Sequence, residues 1–254
     1  VFNIAKRISH RIKTRRPKEY APKPEDGKVD NVFGPPMALL MEDDWLIMAQ
    51  CNYMLNETCD VMRQYGYYFE NRGNKSISEK LSSALVSWKA LVAGGEVDAH
   101  SARNLYYYMK SGTRIKRGFK TLSNIDVKDT FSLKNLQEHC GLLATEDMAW
   151  DEAMDRVPED LKTYVAALLR RGEDLTREPR IKVSTIHGSK GGEAPNVVLF
   201  TDISYASDQA VSSNTLEGSK MMDDLHRLFY VGVTRCSQNL YIVSPVDGLR
   251  SYTI

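Results

Sequence analysis

RIKVSTIHGSKGGEAPNVVLFT, Arg180 to Thr201, is the stretch whose reading decides the fold. Its first run, Ile181 to Ile186, alternates apolar and polar side chains and is rich in β-branched residues. Asn196 to Phe200 is nearly continuous in apolar residues, as buried strands are. The spacing predicts strand, turn, strand. The turn, His187-Gly188-Ser189-Lys190-Gly191-Gly192-Glu193, joins three glycines to an imidazole, an ammonium and a carboxylate. Glycine lets a backbone come close to a ligand, and such a loop suits a polyanion.

A second stretch, Leu225-His226-Arg227-Leu228-Phe229-Tyr230-Val231-Gly232-Val233-Thr234-Arg235, follows downstream. Thr185-Ile186-His187 with Lys190-Gly191-Gly192-Glu193 resembles motif V of the UvrD/Rep-like superfamily 1 DNA helicases, T-x-H-x-x-K-G-x-E. The second stretch resembles motif VI of the same family, which ends Y-V-x-x-T-R. The two come in the family's order. Alone, T-x-H and K-G-x-E compete with plain turn chemistry between two strands; together the two motifs are far more specific.

The resemblance implies an α/β fold: a RecA-like parallel sheet flanked by helices and interrupted by a mostly helical inserted subdomain. It divides the chain into residues 1–94, a first part of the second RecA-like domain; 95–178, a helical accessory insert; and 179–254, the returning part with motifs V and VI. It also implies ATP and Mg²⁺ as cofactors of a complete enzyme, single-stranded and duplex DNA as partners, and 3′-to-5′ movement. Arg235 matches the motif VI arginine finger, whose planar fork suits charge spread over phosphoryl oxygens. Glu193 matches the carboxylate that accepts from ribose hydroxyls. Lys190, Gly191 and Gly192 fall beside it in the nucleotide loop, and Arg227 stands at an arginine position that either touches nucleotide or braces the fold through an ion pair. Thr185 and His187 match positions on the single-strand backbone. Upstream, Gln50-Cys51-Asn52 sits where the family has an R-T-N turn. Only Asn52 matches, and Gln50 stands where the family has the arginine.

The chain has 254 residues, 42% hydrophobic and 26% charged, enough for one large domain or two small ones. A formal net charge of +1 gives no global pull on nucleic acid, so any such attraction comes from local patches. The four cysteines lack C-x-x-C spacing, which speaks against zinc and fits reduced thiols in a cytosol. No apolar run reaches membrane-spanning length. A cytoplasmic monomer with no membrane partner is expected. Carboxylates from Glu146 to Asp160 read as a solvated helix face, and no metal ligand set is expected in this chain.

Val1 to Ile12 has helical apolar spacing, with Arg15, Arg16 and Lys18 extending its basic end and Pro17, Pro22 and Pro24 stopping it. Because this opening reads as mid-helix and no G-x-x-x-x-G-K-[ST] loop occurs anywhere, the chain is expected to be part of a longer protein, missing its N-terminal RecA-like domain and inactive alone. Asp44 to Ala49 reads as a buried strand, Leu55 to Tyr65 as a helix ended by Gly66, and Tyr67 to Phe69 as a strand. Ser76 and Glu79 suggest a capping box before a helix that stops at Gly94-Gly95. Further helices are expected at 99–109, 133–140, 148–156 and 158–171, a loop at 204–218, a helix at 222–235 and a strand at 239–243. Between Tyr106 and Lys120, three tyrosines and a phenylalanine mingle with Lys110, Arg114, Lys116, Arg117 and Lys120 and no acid. That mixture suits phosphate contacts and stacking, or equally a solvated basic turn. Two rival functions stay open: a non-catalytic DNA-binding or regulatory module, and a subunit of a helicase–nuclease complex.

Overall fold

A computed structural model describes residues 1–15, 27–34, 37, 43–123, 125–126, 128–245 and 250–254. Arg16, Pro17, Lys18, Pro22 and Pro24 lie outside the described residues. The chain forms two compact units: Val1–Met62, Phe69–Asn74 and Pro179–Ile254 make the first, Arg63–Tyr68 and Lys75–Glu178 the second.

The first unit is built on a sheet. Its strands are β1 (Lys28–Val32), β2 (Trp45–Ala49), β3 (Phe69–Asn71), β4 (Asn74–Lys75), β7 (Ile181–Thr185), β8 (Ala194–Phe200) and β9 (Cys236–Val243), in the order β1-β9-β8-β2-β7-β3-β4. Pairing is parallel from β1 through to β3. β2 is buried along its whole length because it has a parallel neighbour on each side, which is why it reads as an unbroken apolar run. Its register sets Ala49 opposite Thr185 and Met48 opposite Leu199. The C-terminal ends of β7, β2 and β8 therefore lie side by side. β1 escaped the sequence reading: Lys-Val-Asp-Asn-Val is a short, half-exposed edge strand with two charges.

Helices α1 (Phe2–Arg11) and α9 (Leu216–Val233) cover the sheet. Ala5 and Ile8 join Leu225, Leu228, Phe229 and Val233 over Val197, Leu199, Leu240 and Ile242. Tyr252 closes this core, its ring stacked on Phe229 at 4.2 Å. α9 begins six residues before the expected start, at a Thr215 cap whose hydroxyl accepts from Gly218 N at 3.1 Å. The expected loop at 204–218 holds a further helix, α8 (Tyr205–Ser212). Ser207 is its one buried side chain, so it has no apolar stripe to announce it.

The second unit is mostly helical. It contains the end of α2 (Asn56–Gln64), then α3 (Glu79–Val92), β5 (Glu96–Asp98), α4 (Ala99–Tyr107), β6 (Thr130–Ser132), α5 (Leu133–His139), α6 (Trp150–Ala153) and α7 (Glu159–Arg171). β5 and β6 pair antiparallel. Residues 75–94 belong to this unit, so its boundary lies twenty residues before the division drawn at 94/95. Specific bonds hold α3 there: Ser82 Oγ donates to Leu175 O at 2.5 Å, Asn104 Nδ2 to Ser83 Oγ at 3.2 Å and Trp88 Nε1 to Met148 O at 3.3 Å. The cap of α3 is Ser78, accepting from Leu81 N at 3.2 Å, and not the Ser76 of the expected capping box. Ser76 Oγ instead lies 2.6 Å from the buried Tyr164 hydroxyl and donates to it, while that hydroxyl gives its one proton to Tyr67 O at 2.7 Å.

Candidate functional site

The loop after β7 is a ladder of tight turns. Ser189 N reaches Thr185 O at 3.0 Å, Lys190 N reaches His187 O at 3.3 Å and Gly192 N reaches Ser189 O at 2.9 Å. Ile186 anchors it in the core, and its N–H bonds Ala49 O at 2.9 Å. His187, Lys190, Gly191, Gly192 and Glu193 are left facing solvent. Glycine suits the turn at two positions. A Cβ on Gly188 would lie 2.5 Å from Ser184 Oγ, and Gly191 has φ +90°. Thr185 Oγ1 accepts from Gly188 N at 3.0 Å, which leaves its own proton to donate.

Arg235, at the turn from α9 into β9, lies against this loop. Its Nη1 donates to Gly192 O at 3.1 Å, its Nε to Val231 O at 3.2 Å, and its own carbonyl accepts from Ala194 N at 3.0 Å. The two stretches singled out by sequence thus meet in space, with the guanidinium bonded to the residue preceding Glu193. Among the described residues no carboxylate pairs with Arg235 and no cation pairs with Glu193.

Arg227 has a different setting. Its Nη1 bonds Asp224 Oδ1 at 2.9 Å, while its Nη2 bonds Thr14 Oγ1 at 2.5 Å and Asp223 Oδ2 at 3.4 Å. Asp223 is 6% exposed and also accepts from Lys13 N at 3.0 Å. That N–H, with Thr14 N–H and the Arg227 charge, outweighs burial and holds the Asp223 carboxyl below its usual range. Of the two roles left open for Arg227, these contacts match bracing of the fold. His226 is likewise a packing group: Nδ1 lies 2.8 Å from the Tyr252 hydroxyl, and burial lowers its pKa.

Asn52 opens a 3-10 turn, Asn52–Leu55, directly after β2 and half-buried. Gln50 has work of its own: Oε1 accepts from Ser204 N at 2.5 Å and Nε2 donates to Ser207 Oγ at 2.7 Å, fixing the start of α8. An amide both donates and accepts there, which an arginine cannot do.

The UvrD-like helicase C-terminal domain family matches residues 49–246, well over half of the chain. The chain belongs to the UvrD-like helicase C-terminal domain family. No curated protein matches it.

In this helicase C-terminal domain the cations read between Tyr106 and Lys120 separate by environment. Lys110, Lys116 and Arg117 are exposed. Arg114 is committed to the fold, with Nε on Glu152 O at 2.9 Å, Nη2 on Glu152 Oε1 at 3.4 Å and Asp155 beyond it. Lys120 caps α4 from inside: Nζ donates to Tyr106 O at 2.5 Å, to Tyr107 O at 3.1 Å and to Met109 O. Among the described residues no group of His, Cys, Asp and Glu is placed to hold a metal, and no helix is long and apolar enough to cross a membrane. Sequence reasoning missed Asp223, Thr14 and the capping by Gln50. For Asp223 a signal existed, the i,i+4 spacing to Arg227.

Proposed function

We propose that this domain forms one wall of the ATP cleft of a DNA translocase, with Arg235 as arginine finger, Glu193 as ribose contact, and Thr185, His187 and Asn52 on the single-strand track. The observation that carries the reading is the 3.1 Å bond from Arg235 Nη1 to Gly192 O, which brings a permanent cation and an unpaired carboxylate to one exposed loop. Those groups fit a nucleotide's two ends. A guanidinium answers phosphoryl oxygens and a carboxylate answers vicinal hydroxyls. Lys190 adds a second cation, and the Gly191-Gly192 backbone allows close approach. Bound ATP with Mg²⁺ supplies the phosphoryl transfer that drives movement. Arg227 acts as a positioning residue, tying α9 to the end of α1 through Asp223. In the helical unit Lys110, Lys116 and Arg117 offer phosphate contacts for duplex DNA or its junction with single strand.

The test combines this domain with a phosphate-loop domain, on one polypeptide or added in trans. Arg235→Ala is expected to lower kcat about a thousandfold with modest change in nucleotide affinity. Glu193→Ala is expected mainly to raise KM, because the ribose is held alike before and during reaction. An Arg235→Ala protein whose activity loss only tracks its loss of melting temperature would remove the finger from this site. Unwinding of tailed duplexes is expected with 3′ tails and not 5′ tails.

A further inference from the structure

Away from the motif loop, in the helical unit, three cations gather on one tyrosine. Tyr107 ends α4 and is 49% exposed. Lys80, from the first turn of α3, places Nζ 3.4 Å from the centroid of its ring. Arg156, which follows α6, places Cζ 5.7 Å from the same centroid and donates Nη1 to Tyr107 O at 3.1 Å. Lys120 Nζ donates to that same carbonyl at 3.1 Å. Lys80 and Arg156 are both exposed, and among the described residues neither has a carboxylate partner.

An aromatic face attracts a cation by roughly 0.5–1 kcal/mol at exposed sites, which explains one of these contacts but not the assembly. The charges repel: burial first, then Arg156 and Lys80, lower the Lys120 ammonium to about 8. The nearby acid, Asp155, is occupied with Lys110 N at 2.7 Å, Thr113 Oγ1 at 3.0 Å and the Arg114 guanidinium. A cluster held together against its own repulsion, open to solvent and short of counter-charge, is completed by an anion.

We infer that Lys80, Tyr107 and Arg156 form a phosphate-binding site that grips the backbone of a DNA strand. The two cations stand on α3 and after α6, both outside the basic run between Tyr106 and Lys120, so sequence inspection alone does not join them. The guanidinium offers a planar fork to phosphodiester oxygens, Lys80 adds a point charge, and Tyr107 adds a hydroxyl donor. Lys110 and Lys116 extend the positive surface for neighbouring phosphates. The inference rests on the reading that this domain binds DNA, and not on the assignment of nucleotide to the motif loop.

Fluorescence anisotropy with a labelled single-stranded oligonucleotide, titrated against the whole chain over a series of KCl concentrations, tests it. Lys80→Gln/Arg156→Gln is expected to weaken binding at least tenfold at low salt. It should also flatten the slope of log affinity against log salt by about 1.4, since each lost single-strand phosphate contact removes about 0.7. Lys80→Arg/Arg156→Lys is expected to retain both. His187→Ala serves as reference: if it weakens binding while the double glutamine variant matches the wild-type slope, the site is overturned and DNA binding by the domain stands. No DNA binding by the wild type overturns both. A third arm titrates inorganic phosphate, read by the Arg156 Nε–H resonance; saturation at micromolar phosphate with no effect of the variants on DNA would reassign the cluster to free phosphate.

Discussion

Arg227 and Arg235 lie in one motif, yet their neighbours give them different chemistry. Arg227 meets Asp223, Asp224 and Thr14, whereas Arg235 meets only oxygens of the fold that carry no charge, among them Gly192 O. The motif made both arginines legible, but not this division, because the partners of Arg227 come partly from the end of α1, over two hundred positions away. Asp223 gives a pH-dependent check. Its folded pKa is depressed, so its contribution is present above the unfolded value near 4 and is lost as pH falls through the lower folded value. Asp223→Asn is expected to destabilise by roughly 1 kcal/mol at pH 7, since its part-buried donors lose a charged acceptor. The difference from wild type should shrink below about pH 4, and melting curves from pH 7 to pH 3 read it. Gly191 gives a second check. Alanine there is forced to φ +90° at a cost on the order of 1–2 kcal/mol, and the loop is expected to respond with weaker nucleotide affinity and an unchanged sheet by circular dichroism.

Elements with a strong period were legible in sequence: β7, β8, α4, α5, α7 and the core of α9 fall within a few residues of expectation. α8 was not, and the reason is physical. Its stability comes from a Ser204 cap and from Gln50, a side chain more than 150 positions earlier that bonds both Ser204 N and Ser207 Oγ. A helix held from outside leaves no trace in its own pattern. Gln50→Ala is therefore expected to loosen α8 alone, by about 1 kcal/mol, or roughly fivefold faster amide exchange across Tyr205–Ser212, with exchange in β2 unchanged. Equal loosening of α8 and β2 would mean that Gln50 supports the sheet instead. The same physics explains the shift of the α3 cap from Ser76 to Ser78. Both serines suit a cap, and the buried Tyr164 hydroxyl claims Ser76.

At the scale of the molecule, two motifs sufficed to read a parallel α/β sheet with a helical insertion, while the path of the chain between its two units escaped. It passes from one to the other after Met62, Tyr68, Asn74 and Glu178. No G-x-x-x-x-G-K-[ST] run occurs in the sequence, so purified alone the chain is expected to show no magnesium-dependent ATPase above background; sustained turnover from a homogeneous sample would refute the division of labour proposed for Arg235 and Glu193. The central strand carries one more consequence. β2 is synthesised well before either of its neighbours, β7 and β8, which begin at Ile181 and later. At ribosomal speeds of about 5–20 residues per second, Trp-Leu-Ile-Met-Ala waits roughly 7–26 seconds before either partner exists. During that interval its backbone is an open template for other nascent chains. Chaperones are therefore expected to shield this strand during that interval, although in the finished sheet it has a partner on each side.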